Sequence, residues 1–136
     1  MEPHVIPIQA GDDFLQDLES NPPRDLRDPR LFINRELSLL QFQRRVLAMA
    51  HDERIPLLER LRFLSISRVL LDEFFEVRVA ALKQRIQHGA AYPGPDGITP
   101  LHLVTLLRES ALSVSDEQYR TYNADLKPLL AREGIR

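Results

Sequence analysis

The chain has 136 residues, 43% of them hydrophobic, with 18 Lys and Arg against 20 Asp and Glu for a formal charge of −2. That size and balance suit one soluble globular domain and argue against a broad nucleic-acid surface. The absence of Cys excludes disulfide staples, thiol catalysis and Cys-based zinc sites.

Charge and proline divide the chain at about residue 30. Residues 1–30 hold seven acids, three bases and five of the ten prolines. Pro22, Pro23 and Pro29 remove backbone donors and disfavour helix in the residue before each. The segment reads as an irregular acidic arm, in which Asp12–Glu19 has the spacing of a short helix with Phe14, Leu15 and Leu18 on one side. Residues 31–88 hold ten bases against seven acids.

The first long helix is predicted to start at Ser38, whose hydroxyl suits a helix cap. Leu39, Phe42, Val46 and Met49 follow as its apolar stripe, widened by Leu47 and Ala50, with Arg44 and Arg45 towards water and an end near His51 and Asp52. The second starts at Pro56, where a missing amide hydrogen costs nothing. Leu57, Leu61, Leu64, Leu71, Phe74, Phe75, Ala81 and Leu82 keep one face apolar, and no Gly or Pro interrupts 57–88. Gly89 is a stop, because Gly accepts the left-handed conformation that ends many helices. Residues 89–98 form a loop by composition. Thr99 and Pro100 read as cap and first residue of a third helix. Its stripe runs Leu103, Leu107, Ala111, Val114, Gln118, Tyr122, Leu126 and Leu129. Pro128 is expected to kink or divide it, Gly134 to end it, and Ile135-Arg136 reads as a chain cut just before another element. With no convincing strand, the expected fold is all-α: a small antiparallel helical bundle of three to four helices behind an irregular N-terminal arm.

Few of these residues suggest chemistry. Asp72 and Glu73 are adjacent on a helix and point about 100° apart, which suits a solvated or ion-paired face better than a shared proton. Glu76 and Asp72 form an acidic pair that Arg68 can offset. Arg60, Arg62, Arg68 and Arg78 have the guanidinium geometry that grips phosphate, but they equally serve as solubilising charges or partners for Glu59, Asp72 and Glu76. The Phe74-Phe75 pair reads as core, with one ring at an interface. His51 suits the helix end near it. The four His (His4, His51, His88, His102) show no short metal-ligand spacing. No glycine-rich phosphate loop or nucleophile elbow is present. No apolar run is long enough to span a membrane, and Met1-Glu-Pro-His lacks a secretory pattern, so a cytoplasmic location is the expectation.

The words of the sequence carry more than its periodicity. Phe32-Ile-Asn-Arg-Glu-Leu-Ser-Leu-Leu-Gln-Phe-Gln-Arg-Arg-Val-Leu47 resembles the opening segment of bacterial polyphosphate kinases. Pro56-Leu-Leu-Glu-Arg-Leu-Arg-Phe-Leu64 and Leu71-Asp-Glu-Phe-Phe-Glu-Val-Arg-Val-Ala80 resemble the next two blocks of that family, in order and at nearly the family spacing. The resemblance covers about 31–136 and implies the N-terminal helical domain of an enzyme that reversibly moves the ATP terminal phosphate onto polyphosphate. It implies ATP, with Mg, as the parent enzyme's cofactors and none for this chain alone. It also implies that the chain has no catalytic residue of its own, packs on the remaining domains of the parent kinase and helps wall its nucleotide pocket.

The chain departs from the family at Ser67-Arg68-Val69-Leu70. The family commonly has a small polar run there, ending in the asparagine associated with adenine, and Leu70 takes that asparagine's place. Leucine can touch a purine face but cannot hydrogen-bond its edge. Arg and Leu are also better helix formers than Ser and Asn, so two helices of the family are expected to join here into one spanning about 56–88. A straightened junction would favour a homo-oligomer, including a helix-swapped dimer.

Overall fold

The computed structural model describes residues 12–136, and its described residues are helical, with no strand. Helix α1 spans Asp12–Ser20, α2 Arg35–Ala48, α3 Leu57–Glu73, α4 Ala80–Gln87, α5 Pro100–Arg120 and α6 Lys127–Arg132. A 3₁₀ turn covers Pro29–Leu31, and π-helical turns cover Phe74–Val79 and Thr121–Leu126.

Over its described residues the N-terminal arm holds one short helix. Over the residues described, α1 forms at the 12–19 segment, and Arg30 ties it down by donating to the Asn21 carbonyl at 2.9 Å and to Asp17 at 3.4 Å. A short helix is marginal alone, and these contacts supply part of what its length does not. Residues 1–11, and His4 with them, lie outside the described residues.

Helix α2 begins one turn upstream of the expected Ser38. Asn34 is the cap: its side-chain oxygen accepts the Leu37 amide at 3.0 Å while its Nδ2 donates to Asp96 at 2.7 Å. The second bond reaches a loop far along the chain, which no local pattern reveals. The expected stripe of α2 holds at Leu47 and Ala50, but its centre lies one residue further on than Phe42 and Met49. Leu40, Gln43, Leu47 and Ala50 are buried, whereas Phe42 and Met49 are exposed. Arg44 turns inward to Glu117 at 3.3 Å and to the Ser110 carbonyl, while Arg45 stays outside over the Phe42 ring.

Residues 57–87 form one uninterrupted helical rod, with Pro56 at its cap rather than its first turn. The backbone is α-helical through 67–70, so there is no break where the polar run of the family is replaced. The widened turn Phe74–Val79 follows. Just ahead of it, the Leu70 carbonyl accepts both the Phe74 amide and the Gln43 side chain, the latter at 3.1 Å. A side chain bonding into the backbone ladder is a recognised cause of local helix distortion. Phe74 is buried and Phe75 lies edge-on to it, half-exposed. Gly89 closes the rod at φ +83°, as its lack of a side chain allows.

The second rod starts as the sequence indicates, with the Thr99 hydroxyl accepting the His102 amide at 3.3 Å. Its expected stripe is buried from Leu103 to Gln118 and again at Leu126, but Thr121 is buried in place of Tyr122, and the π turn Thr121–Leu126 carries the buried line on by five residues to Leu126. Pro128 accounts for that turn. It has no amide to donate and its ring crowds the carbonyl one turn back, so the chain widens before restarting as α6.

Long-range bonds set the direction of the elements. Arg60 Nε reaches the Ala50 carbonyl and Gln43 reaches Leu70, so α2 and the 57–87 rod run antiparallel. Arg44 reaches Ser110 while His51 reaches Thr121, so α2 and α5 run parallel. Helix α4 packs on α5, closing a three-rod bundle. Leu40, Leu47, Leu71, Leu107 and Val114 lie at its centre, with Leu126 sealing one end.

Candidate functional site

The segment Ser67-Arg68-Val69-Leu70 sits mid-rod, and each residue meets a different environment. Ser67 is fully buried, and its hydroxyl oxygen accepts from Gln118 Nε2 at 2.9 Å. Arg68 reaches across one helical turn to Asp72 at 3.2 Å, with both side chains about half exposed. Val69 points away from the bundle and is 64% exposed. Leu70 is half-buried on the flank of α3 facing α2.

Leu70 therefore presents only methyl groups, and its backbone acceptor already holds two donors. That environment does not fit the edge of an adenine ring, which needs both a donor and an acceptor. Among the described residues no group of three or more His, Asp or Glu is placed to hold a metal ion.

The described residues line two surface depressions that bear on the argument, each of about 300 Å³. One lies between the start of α2, α4 and the 89–98 loop, lined by Phe32, Asn34, Arg35, Arg85, Tyr92 and Asp96 among others. The other lies where α3 meets the second rod, lined by Leu64, Arg68, Gln118, Tyr119 and Tyr122. Leu70 lines neither. At about 100° per residue, Leu70 falls on the opposite flank of α3 from Leu64 and Arg68.

The arginines that the sequence singles out do not converge. Arg60 is buried, and its Nε donates to the Ala50 carbonyl at 2.8 Å, satisfying an acceptor left at the end of α2. Arg62 lies outside beside Glu59 at 3.7 Å. Arg68 is paired with Asp72, which offsets one member of the acidic pair. Arg78 is part-buried on the π turn. His51 does more than sit at a helix end. Its Nε2 lies 2.8 Å from the Thr121 hydroxyl, and its Nδ1 lies 3.3 Å from Asp125. Because the Thr121 hydroxyl donates to the Glu117 carbonyl at 2.7 Å, its oxygen is left to accept from His51. The imidazole thus joins the end of α2 to the second π turn.

Sequence reasoning passed over one feature. Gln43, Ser67 and Gln118 contribute buried polar side chains to the three rods, and the Oε1 atoms of both glutamines are buried without a partner. Gln118 shows in the sequence as the polar member of an apolar stripe. Gln43 is legible only once the α2 stripe is shifted to Leu40, Leu47 and Ala50.

These features define a small all-helical domain in which several ionisable groups, Arg44, His51 and Arg60 among them, join one helix to another. Among known proteins, the family described as the polyphosphate kinase N-terminal domain matches residues 32–136. Curated proteins named polyphosphate kinase match most of the chain. That of Thermosynechococcus vestitus is 46% identical over 83% of this chain, that of Xylella fastidiosa 46% over 85%, and that of Pseudomonas aeruginosa 47% over 80%. No solved structure matches the chain significantly. The chain belongs to the polyphosphate kinase family as its N-terminal domain. It spans only 15–16% of the length of the three relatives.

Proposed function

We propose that this chain is a supporting domain of a polyphosphate kinase, packing on the catalytic portion of the parent enzyme and forming one wall of its nucleotide pocket. The reaction is the reversible transfer of the terminal phosphate of ATP to a polyphosphate chain, and the groups that carry it out lie outside this chain. A rigid bundle suits that work, because side chains on packed helices hold their positions to the tolerance a binding wall requires. The observation that carries the reading is the combination of a family match over 32–136 with ionisable groups engaged in structural contacts: Arg44 with Glu117, Arg60 with Ala50, His51 with Thr121.

Within this reading Leu70 stands at the adenine-contact position of the family but offers no hydrogen bond to the base. ATP and Mg belong to the assembled parent enzyme, and a cytoplasmic location follows for it. Among the described residues no helix is long and apolar enough to cross a membrane. Calorimetric titration of the purified chain with ATP and Mg is expected to give weak or no binding. Saturable binding at micromolar concentration would refute the assignment of the remaining pocket walls to the rest of the enzyme.

A further inference from the structure

We propose that the depression between the start of α2, α4 and the 89–98 loop is a binding site for a small aromatic monocarboxylate. The inference goes beyond the supporting role above, because it gives the domain a ligand of its own. Leu70, at the adenine-contact position of the family, lines no part of this depression.

The depression holds about 300 Å³, the low end of what small-ligand pockets enclose. Its floor is apolar, made by the core residues Leu82 of α4, Ile98 of the loop and Leu103 of α5. Phe32 lies beside them part-buried, and Tyr92 stands at the mouth, exposed. The rim is built by bonds between distant parts of the chain. Asn34 Nδ2 donates to Asp96 at 2.7 Å, which ties the start of α2 to the loop, and Asp96 also accepts the Ile98 amide at 3.0 Å. A wall fixed in this way is formed before any ligand arrives, so binding does not have to order it.

The charges around the depression select the head of the ligand. Two guanidinium groups come to it from different elements, Arg35 from the first turn of α2 and Arg85 from α4. Both residues are exposed, and among the described residues neither lies within ion-pair distance of an acid. A guanidinium holds a carboxylate through two parallel N–H donors. Two acids limit how much negative charge the site accepts. Asp96 has one oxygen on Asn34 and the other on the Ile98 amide. Glu36 lies in the first turn of α2, where the free amides of a helix start favour a carboxylate. Two cations against two anions leave no excess positive charge, so the site suits one negative charge placed on the arginines. A polyphosphate chain or the triphosphate of ATP would bring several charges up to the same two carboxylates. The floor selects the body of the ligand. A flat ring covers Leu82, Ile98 and Leu103, and the rings of Phe32 and Tyr92 offer edge-on or offset contacts to it.

The test is heteronuclear NMR titration of the purified 136-residue chain with phenylpropionate, with circular dichroism as the fold control. The acid is expected to bind saturably, with a dissociation constant of about 1 mM or tighter, and to move the amide signals of residues 33–36 and 96–98. Phenylpropanol has the same body without the charge and is expected to bind at least about tenfold more weakly. Phenyl phosphate, close to a dianion at neutral pH, is expected to bind at least about threefold more weakly than the acid. Arg35→Gln and Arg85→Gln are each expected to weaken the acid about fivefold and to keep the helical spectrum. Arg108→Gln, exposed on α5 and outside the depression, is expected to change nothing. No movement of these amides at about 10 mM acid overturns the proposal. So does an alcohol that binds as tightly as the acid, or an acid indifferent to both arginine variants. Tighter binding of phenyl phosphate refutes the choice of a monocarboxylate. None of these results bears on whether the chain lacks phosphotransferase activity.

Discussion

The buried pair of Ser67 and Gln118 gives an asymmetry that can be measured. Gln118 is 5% exposed and Ser67 fully buried, and a single 2.9 Å bond joins them while Gln118 Oε1 has no partner. Ser67→Ala removes the one acceptor of the amide and leaves a buried side chain unsatisfied at both ends. Such a loss costs about 1–3 kcal/mol. Gln118→Leu acts differently: it removes the unsatisfied oxygen along with the donor. The Ser67 hydroxyl it leaves behind can turn to a carbonyl of its own helix one turn back. Its net effect is expected to lie within about 1 kcal/mol of zero. The double variant should be at least as stable as Gln118→Leu, since replacing both polar partners by apolar groups is close to neutral or stabilising. Urea titration followed by far-ultraviolet circular dichroism reads all three, and an unchanged slope would show that the unfolded state is not the cause. The reasoning fails if Ser67→Ala lies within about 0.5 kcal/mol of wild type, or if Gln118→Leu is the more damaging single change.

Other expectations follow from the same bonds. Asn34→Ala should cost about 1–2 kcal/mol in the same titration, because it removes the α2 cap and the link to Asp96. Ser38→Ala, on the exposed side of α2, should stay within about 0.5 kcal/mol, and equal effects would restore Ser38 as the cap. Arg60→Ala should cost about 1.5–3 kcal/mol by stripping a charged donor from the Ala50 carbonyl; a neutral result would mean that water replaces it freely. The Arg54 side chain hydrogen-bonds Asp52 and lowers its carboxyl from an ordinary 3.8 to about 2. A carboxyl depressed in the folded state contributes stability above its unfolded value, and that contribution is lost as pH falls through about 2. NMR titration should show Asp52 ionised well below pH 3.8, and Arg54→Ala should return its midpoint towards that value. An unmoved midpoint would assign the depression to another cause.

What the sequence disclosed, and what it did not, follows from the range of the interactions. Thr99, Gly89 and Gly134 act on their own backbone, and the structure places a helix boundary at each. Pro128 likewise divides its helix, for a steric reason confined to one turn. The start of α2 was hidden because Asn34 is held by Asp96 as well as by its own helix. The choice between Phe42 and Gln43 for the buried side of α2 goes against hydrophobicity, and the Leu70 carbonyl on a neighbouring helix decides it. The Tyr122 prediction failed at a π turn, where a fixed helical period no longer counts correctly. At the candidate site, the loss of hydrogen-bonding capacity at Leu70 was legible from residue type alone. The occupation of its carbonyl by Gln43 was not.

The central claim is that this domain supports phosphoryl transfer carried out by other parts of the enzyme. The most direct test incubates the purified 136-residue chain with ATP labelled in its terminal phosphate, Mg and a short polyphosphate primer, and resolves polymer from nucleotide by electrophoresis. The expected result is that the label stays in ATP at the rate of a blank without protein. Label entering polymer in proportion to the amount of chain added would contradict the account.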